Sequence, residues 1–450
     1  MLVETMLRKI LDFQISRYKN YGKTKALFYL IYIYLIFYNK LIPKKSETYA
    51  LSFEKSRFDD DIEAIKKYSS VNIIKVPLKV SVTLASYFLP KHLHSQKNYH
   101  MTTNEKDYSF KEQYKEFLLL VVSHLVEKIE VDALIVGNFD YWEHQEWTNA
   151  LNEFQISTFC IYRESYSWKS KITWRKKLYS DFNNLIPKME ICVFGNQSKE
   201  WLENLPCLVN ANFHIIGAPR TDFHFYNIKN SNIKKENKNK VVLFDYFGQN
   251  YGDDVSICSH HNFKFVDLNT KFCISCEETF FDISAEVIKK FIVLSSLSTL
   301  ENFDFVIKTK EKFYSDFIKK QFNKELSKNK NITISDNIGF KEILLESKVI
   351  IGSFRSTAVI ESMLSEATII LPNWDKQVDP MLDAYSKLET LNVVKIKQKN
   401  DFANTIIDIL KNYRKTDKNK ITKRLQLIEE GLYKLDGKSS KRFEELYKNL

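Results

Sequence analysis

A chain of 450 residues, 44% of them hydrophobic, can bury a large core and implies two or three domains, which excludes a peptide hormone or an isolated binding module. Its 33 Phe and 24 Tyr stand against only 10 Gly and 8 Pro; about 30 and 20 would be average, so a linker-rich or disordered chain is not expected. The net charge of +11 resides at the ends: residues 1–45 carry +7, residues 411–450 carry +6, and the body between them −2. A basic groove through the fold, and with it a nucleic-acid partner, is therefore not expected. Only 10 of the 67 basic residues are Arg, which makes each Arg informative. Six irregularly spaced cysteines do not form a disulfide framework, and no signal peptide opens the chain, so the expected location is the cytoplasm.

The first feature in chain order is an apolar run of 13 residues, Ala26 to Tyr38. It is shorter than the roughly 20 residues a spanning helix needs. Arg8, Lys9, Arg17, Lys19, Lys23 and Lys25 precede it; Lys40, Lys44 and Lys45 follow it. Two readings are open: a helix lying in the headgroup region on the inner face of an anionic membrane, or an ordinary buried helix before the first strand. The run has little of the polar face that the first reading requires.

From Glu47 onward short β-rich runs alternate with helical patterns, as in a parallel sheet with crossover helices. Strands are expected at 48–53, 71–76, 131–136, 157–162, 191–194 and 213–216, with helices at 59–68, 110–129 and 142–154 and a polar stretch at 91–106. Residues 227–240, rich in Lys and Asn, read as a linker. A second alternation follows, with strands at 241–244, 303–307, 332–334, 349–351, 368–371 and 393–396. The expected organisation is a basic N-terminal segment 1–45, an α/β domain 46–226, the linker, a second α/β domain 241–415, and a basic helical tail 416–450. In such proteins ligands sit at the carboxyl ends of the strands.

The most specific segment is Ser347 to Pro372, where a buried strand runs into Gly352, a small polar turn follows and a helix begins. Ser353, Ser356 and Thr357 would offer hydroxyls and backbone N–H groups where the helix dipole favours an anion, and Arg355 a bidentate phosphate contact. Glu361, one turn on, would accept hydrogen bonds from a ribose diol. The same residues also suit a plainly capped helix start that binds nothing.

The runs Ile332–Asp336, Leu344–Ser353 and Ser356–Glu361 resemble the nucleotide-binding half of GT-B-fold glycosyltransferases of bacterial surface polysaccharides. That group includes capsule transferases, Kdo transferases and the CDP-glycerol glycerophosphotransferases. Ile215-Ile-Gly-Ala-Pro-Arg-Thr-Asp222 resembles the element with which such proteins leave their first domain. Phe159-Cys-Ile-Tyr-Arg-Glu-Ser165 resembles the strand-end His-x-Glu element of related sugar-nucleotide epimerases, with Tyr162 where the His would be. The resemblance implies two Rossmann-like domains facing a central cleft, a nucleotide-sugar donor, a glycan or lipid-linked acceptor, and no cofactor or bound metal. A teichoic-acid-type CDP-polyol phosphotransferase and an epimerase relative are the alternatives. Where such families have Lys-x-His-Pro, this chain has Lys308-Thr-Lys-Glu311, leaving Lys308 or Lys310 for the phosphates. The usual Gly-Pro after the donor helix is replaced by Ser365-Glu366-Ala367, while Gly248 and Gly252 would let backbone approach a pyrophosphate.

An inverting glycosyl transfer needs a general base, for which Asp140, His144 and Glu164, all beyond strand ends, are candidates, while a retaining transfer is equally open. Glu143, Gln145 and Glu146 equally read as a solvated early helical turn. Arg163 and Arg220, with Arg355, fall at strand ends and suggest a polyanionic ligand between the domains. Cys258, His260, Cys273 and Cys276 have the residue types of a zinc knuckle, but the spacing of the first pair is irregular, so no metal is assigned.

Overall fold

The computed structural model describes residues 47–53, 58–165, 169–230, 239–244, 286–309, 312–327, 329–352, 357–372, 394–397, 400–412 and 434–450, with single positions between 32 and 44 and between 422 and 429. The chain divides into two compact units. The first comprises Met1–Ser167, Lys171–Phe223 and Glu429–Leu450; the second comprises Trp168–Ser170 and His224–Ile428. Each holds a six-stranded, all-parallel sheet.

The first sheet consists of β1 (Tyr49–Phe53), β2 (Ile73–Val76), β3 (Val131–Val136), β4 (Ser157–Ile161), β5 (Met189–Val193) and β6 (Ala211–Ile215), in the order β2-β1-β3-β4-β5-β6. The second consists of β7 (Lys240–Phe244), β8 (Asp304–Lys308), β9 (Ile332–Ser335), β10 (Ser347–Ile351), β11 (Thr368–Pro372) and β12 (Val394–Lys397), in the order β12-β11-β10-β7-β8-β9. Both are doubly wound, Rossmann-like sheets. The direction of strand addition reverses between β1 and β3 in the first unit and between β7 and β10 in the second. Helices cover both faces of such sheets, which is why β1 and β5 are buried at every position and read as largely apolar runs, Ser52 and Glu190 being their polar members. The edge strands β6 and β9 are more exposed. Each unit has its own apolar core, with Tyr49, Phe53, Phe117 and Trp147 in the first and Phe291, Phe305, Ile351 and Phe402 in the second.

All twelve expected strands form. Helices Leu78–Phe88 and Lys169–Ser180 were not expected, and Gln96–Met101 forms inside the polar stretch 91–106, started by the Ser95 hydroxyl accepting from the Asn98 N–H. Residues 231–238 of the expected linker lie outside the described residues. Within the apolar N-terminal run, Leu35 is buried in the first unit's core and Tyr32 packs against it. The Asn39 side chain donates to the Lys75 carbonyl at 2.8 Å and accepts from the Lys75 N–H at 2.8 Å, pairing with β2 as a neighbouring strand would. These described positions behave as a packed helix end. Among the described residues no helix is long and apolar enough to cross a membrane.

The basic segment 416–450 divides: residues to Ile428 go with the second unit and Glu429–Leu450 with the first. The C-terminal helix Ser439–Lys448 is anchored by Asp222, whose carboxylate accepts from the backbone N–H groups of Ser439 and Ser440 at 3.1 and 2.7 Å. An anion at a helix N-terminus meets both the orphan donors and the dipole. Arg442 donates to the Ile216 carbonyl at 2.9 Å, Ser70 donates to Glu444, and Tyr447 to Asp132. Gly217 sits beneath this helix at φ +83, where a side chain would meet Ser439.

Candidate functional site

In the first unit, β3 ends beside the point where strand order reverses, and its loop carries Asp140. This carboxylate is buried. Its Oδ1 accepts from Gln96 Nε2 at 3.2 Å and its Oδ2 from the Tyr179 hydroxyl at 3.0 Å, while its backbone carbonyl meets His100 Nε2 at 3.1 Å. His144, immediately before the helix Gln145–Glu153, is also buried. Its ring stacks on Phe53, the last residue of β1, at 4.5 Å and meets Tyr141 edge-on.

Glu164 stands in the short turn Arg163–Ser165 after β4, with a third of its side chain exposed. Its carboxylate pairs with Arg175 at 2.8 Å, and Arg175 also donates to the Glu164 carbonyl at 3.1 Å and to the Tyr162 hydroxyl at 2.9 Å. Burial pushes the Tyr162 and Tyr179 phenols above their usual range. Arg163 donates its backbone N–H to the Gly137 carbonyl at 3.4 Å, joining the turn after β4 to the end of β3. Asp140 and Glu164 thus belong to one buried polar cluster, in which Glu164 is the more exposed carboxylate.

The solvated-face reading of the turn after Tyr141 does not hold. Glu143, Gln145 and Glu146 are all buried. Gln145 donates to the Phe139 carbonyl at 2.6 Å, and Glu146 accepts from Tyr99 and from Asn149. Burial raises the Glu146 carboxyl and lowers the nearby Lys111 ammonium to about 8. The apolar floor supplied by Phe53 and Trp147 draws this turn inward.

His100 lines the same cluster, stacked on Phe182 at 4.4 Å, and burial holds its imidazole down to about 3. Because the unfolded chain protonates near 6.5, it binds more protons than the folded one between those values, so stability rises with pH there. Native stability is expected to fall as pH drops from about 6.5 towards 3. His100→Phe should flatten this acid limb in urea titrations run between pH 7 and pH 4; an unchanged slope would assign the limb to other groups.

In the second unit, β10 runs into Gly352 at the corresponding reversal. A Cβ at Gly352 would overlap the Val359 side chain and press on Phe244, so glycine lets the helix Thr357–Ser362 close against the strand ends. Glu361 on that helix is buried, with its Oε2 3.4 Å from His224 Nε2; His224 in turn meets Phe340 edge-on. Lys308, ending β8, donates to the carbonyls of Thr309 and Asp336 at 2.9 and 2.6 Å. Arg424, fully buried, donates to the carbonyls of Ser365 and Ala367 at 2.8 and 3.2 Å, in the stretch that stands in place of Gly-Pro. Thr357 opens the helix backbone. Gly248, Ser353, Arg355 and Ser356 lie outside the described residues, as do Lys310, Cys258, His260, Cys273 and Cys276. Among the described residues no group of side chains is arranged to hold a metal ion.

Arg220 is placed inside the first unit. Its backbone N–H and guanidinium bind the two carboxylate oxygens of Asp61, itself fully buried, at 3.0 and 3.1 Å. With Asp222 capping the C-terminal helix, both charged residues of the Gly-Ala-Pro-Arg-Thr-Asp element serve as joints of the fold. Sequence reasoning missed Arg175, Tyr179, His224, Gln96 and Arg424. For the two arginines the scarcity of Arg was an available signal; for the others only proximity in the fold identifies them.

Fold and site together define a protein of two doubly wound parallel α/β units, each with polar residues gathered beyond the strands that flank its reversal point. No family model matches the chain, and no curated protein matches it in sequence. Among solved structures it is similar to the Neisseria meningitidis UDP-GlcNAc 2-epimerase bound to UDP-GlcNAc, at 12% identity and TM-score 0.48, covering 90% of this chain and 100% of that one. It is also similar to the S. aureus MnaA–UDP structure, at 10% identity, TM-score 0.47, and 90% and 98% coverage. The Acinetobacter baumannii MurG structure is similar at 10% identity and TM-score 0.41, covering 90% of this chain and 100% of that one.

Proposed function

We propose that this protein is a glycosyltransferase that moves a sugar from a nucleotide-sugar donor to a surface-polysaccharide or lipid-linked glycan acceptor, without a bound metal. One observation carries the reading. In each unit the motif residues follow the strand at which strand order reverses, Asp140 and His144 after β3 and the Gly352–Glu361 segment after β10. That is where doubly wound sheets bind their ligands. On the donor side, the glycine-permitted approach of the helix Thr357–Ser362 suits a phosphate-bearing ligand, and Glu361 suits its ribose. Lys308 and Arg355 are the cations proposed for the phosphates.

On the acceptor side Glu164, exposed enough to reach a ligand, accepts the acceptor's hydroxyl proton as that oxygen bonds to the sugar carbon. The bond from that carbon to the nucleotide's phosphate oxygen breaks, and the nucleotide leaves with the electron pair. Such a base contributes typically 10²–10⁴-fold. Asp140 and His144 support it as buried neighbours. An epimerase reading is disfavoured by Tyr162, a buried phenol held by Arg175 where the resembling element has an imidazole. Association with an anionic membrane surface rests on the charge of the chain ends.

Nucleotide release from a panel of UDP-, GDP- and CMP-sugars and CDP-glycerol, with and without a glycolipid acceptor, tests the reading. Release from a sugar nucleotide, weakened at the binding step by Glu361→Ala, is the expected result. Release of CMP from CDP-glycerol alone would establish the phosphotransferase alternative, and conversion of a sugar nucleotide to its epimer without release would establish the epimerase.

A further inference from the structure

Two hydrogen bonds define the buried cluster of the first unit: Tyr179 donates its hydroxyl proton to Asp140 at 3.0 Å, and the Tyr162 oxygen accepts from Arg175 at 2.9 Å. A second guanidinium nitrogen carries Glu164. Phe139 and Trp201 pack against both phenols and hold the two rings in place. Arg175 is thus a buried cation donating to both the side chain and the backbone of Glu164, a carboxylate a third exposed.

We propose that Arg175 is a positioning residue: it orients and keeps ionised the ligand-facing carboxylate of Glu164, while its bond to the Tyr162 hydroxyl holds the guanidinium in place. This rests on the assignment of Glu164 as proton acceptor. The physical reasons are two. A planar guanidinium fixes a carboxylate in angle as well as in distance, which a base needs in order to meet its proton. Its charge also lowers the pH above which the carboxylate stands ready. Other ionisable groups facing the cluster are Glu143, Arg163, Tyr141, His100, Cys160 and Cys207, besides Asp140 itself.

Three variants separate positioning from mere packing. Arg175→Gln is expected to lower kcat for nucleotide release by about a hundredfold with the donor KM unchanged, at the low end for a mispositioned acid–base group. The acid limb of its pH–rate profile should move to higher pH. Arg175→Lys, which keeps the charge and loses the fork, should leave the limb in place and recover only part of the rate. Tyr162→Phe, which removes the hydroxyl that holds the guanidinium, should lower kcat and leave the limb of Glu164 unmoved. A limb unmoved in Arg175→Gln, or a full rate in that variant, overturns the proposal. A readout independent of turnover is the carboxyl ¹³C NMR titration of Glu164, identified by its loss in Glu164→Gln. Its midpoint should rise in Arg175→Gln, and an unchanged midpoint overturns the proposal whether or not any donor is turned over. Wild-type protein that binds and cleaves no sugar nucleotide, yet shows the midpoint shift, would instead overturn the functional reading and leave the pairing standing.

Discussion

Replacing Arg220 by Ala is expected to destabilise the first unit by about 3–5 kcal/mol, the usual consequence of stripping one partner from a buried ion pair. The size follows from what is left behind. Asp61 is fully buried, and both of its oxygens are satisfied by Arg220, one through the backbone N–H, which survives the substitution, and one through the guanidinium, which does not. A buried anion that loses its guanidinium partner bears an uncompensated desolvation cost. The guanidinium also lies over the Phe194 ring at 5.3 Å, and the substitution removes that cation–π attraction as well. Urea denaturation of Arg220→Ala and of the double variant Asp61→Asn/Arg220→Met checks the assignment, since the uncharged pair should recover much of the loss. Nucleotide titration checks the other side: affinity for the donor nucleotide is expected to stay within a few-fold of wild type. A tenfold or larger loss of affinity in folded protein would return Arg220 to the phosphate role its position in the sequence suggests.

Glu164→Gln is expected to reduce kcat by about 10²–10⁴-fold, the range a positioned general base supplies. The amide keeps the shape and still accepts from Arg175, so folding should change little, and the donor-side residues belong to the other unit, so nucleotide affinity should be retained. Single-turnover release measured against isothermal titration of the nucleotide separates the two. A variant that retains the wild-type rate would pass the role of base to Asp140, which is better hydrogen-bonded but buried. Asp140→Asn, measured in parallel, settles which carboxylate meets the acceptor, because only the group that takes the proton should move the acid limb.

Much of the fold was legible because parallel strands buried on both faces write themselves as apolar runs, and Val131 to Val136 or Val241 to Phe244 need no partner to be recognised. The helix Lys169–Ser180 was not legible: Arg, Lys and Trp alternate along it without a clear apolar stripe, and it is stabilised by what Arg175 and Tyr179 reach rather than by its own pattern. The site was legible as a set of places. Asp140, Glu164, Gly352 and Glu361 all follow strands, and strand ends are where ligands bind. Their environments were not legible. Glu143 and Glu146 look like a wet helical turn in sequence and are buried, because an aromatic floor from β1 and the helix Gln145–Glu153 pulls that turn down.

By itself the sequence determined the two-unit α/β organisation, the strand-end addresses of the polar residues and the confinement of positive charge to the ends, since these depend on local periodicity and composition. Only the tertiary structure decided what each charge is for. Arg220 and Asp222 became joints because Asp61 and the start of the C-terminal helix, 159 and 217 residues away along the chain, meet them. Arg175 became the partner of Glu164 because an unrecognised helix brings it to the end of β4. The energy of a charge is set by the partners within a few ångströms in a low-dielectric interior, and those partners are chosen by folding rather than by neighbourhood in sequence.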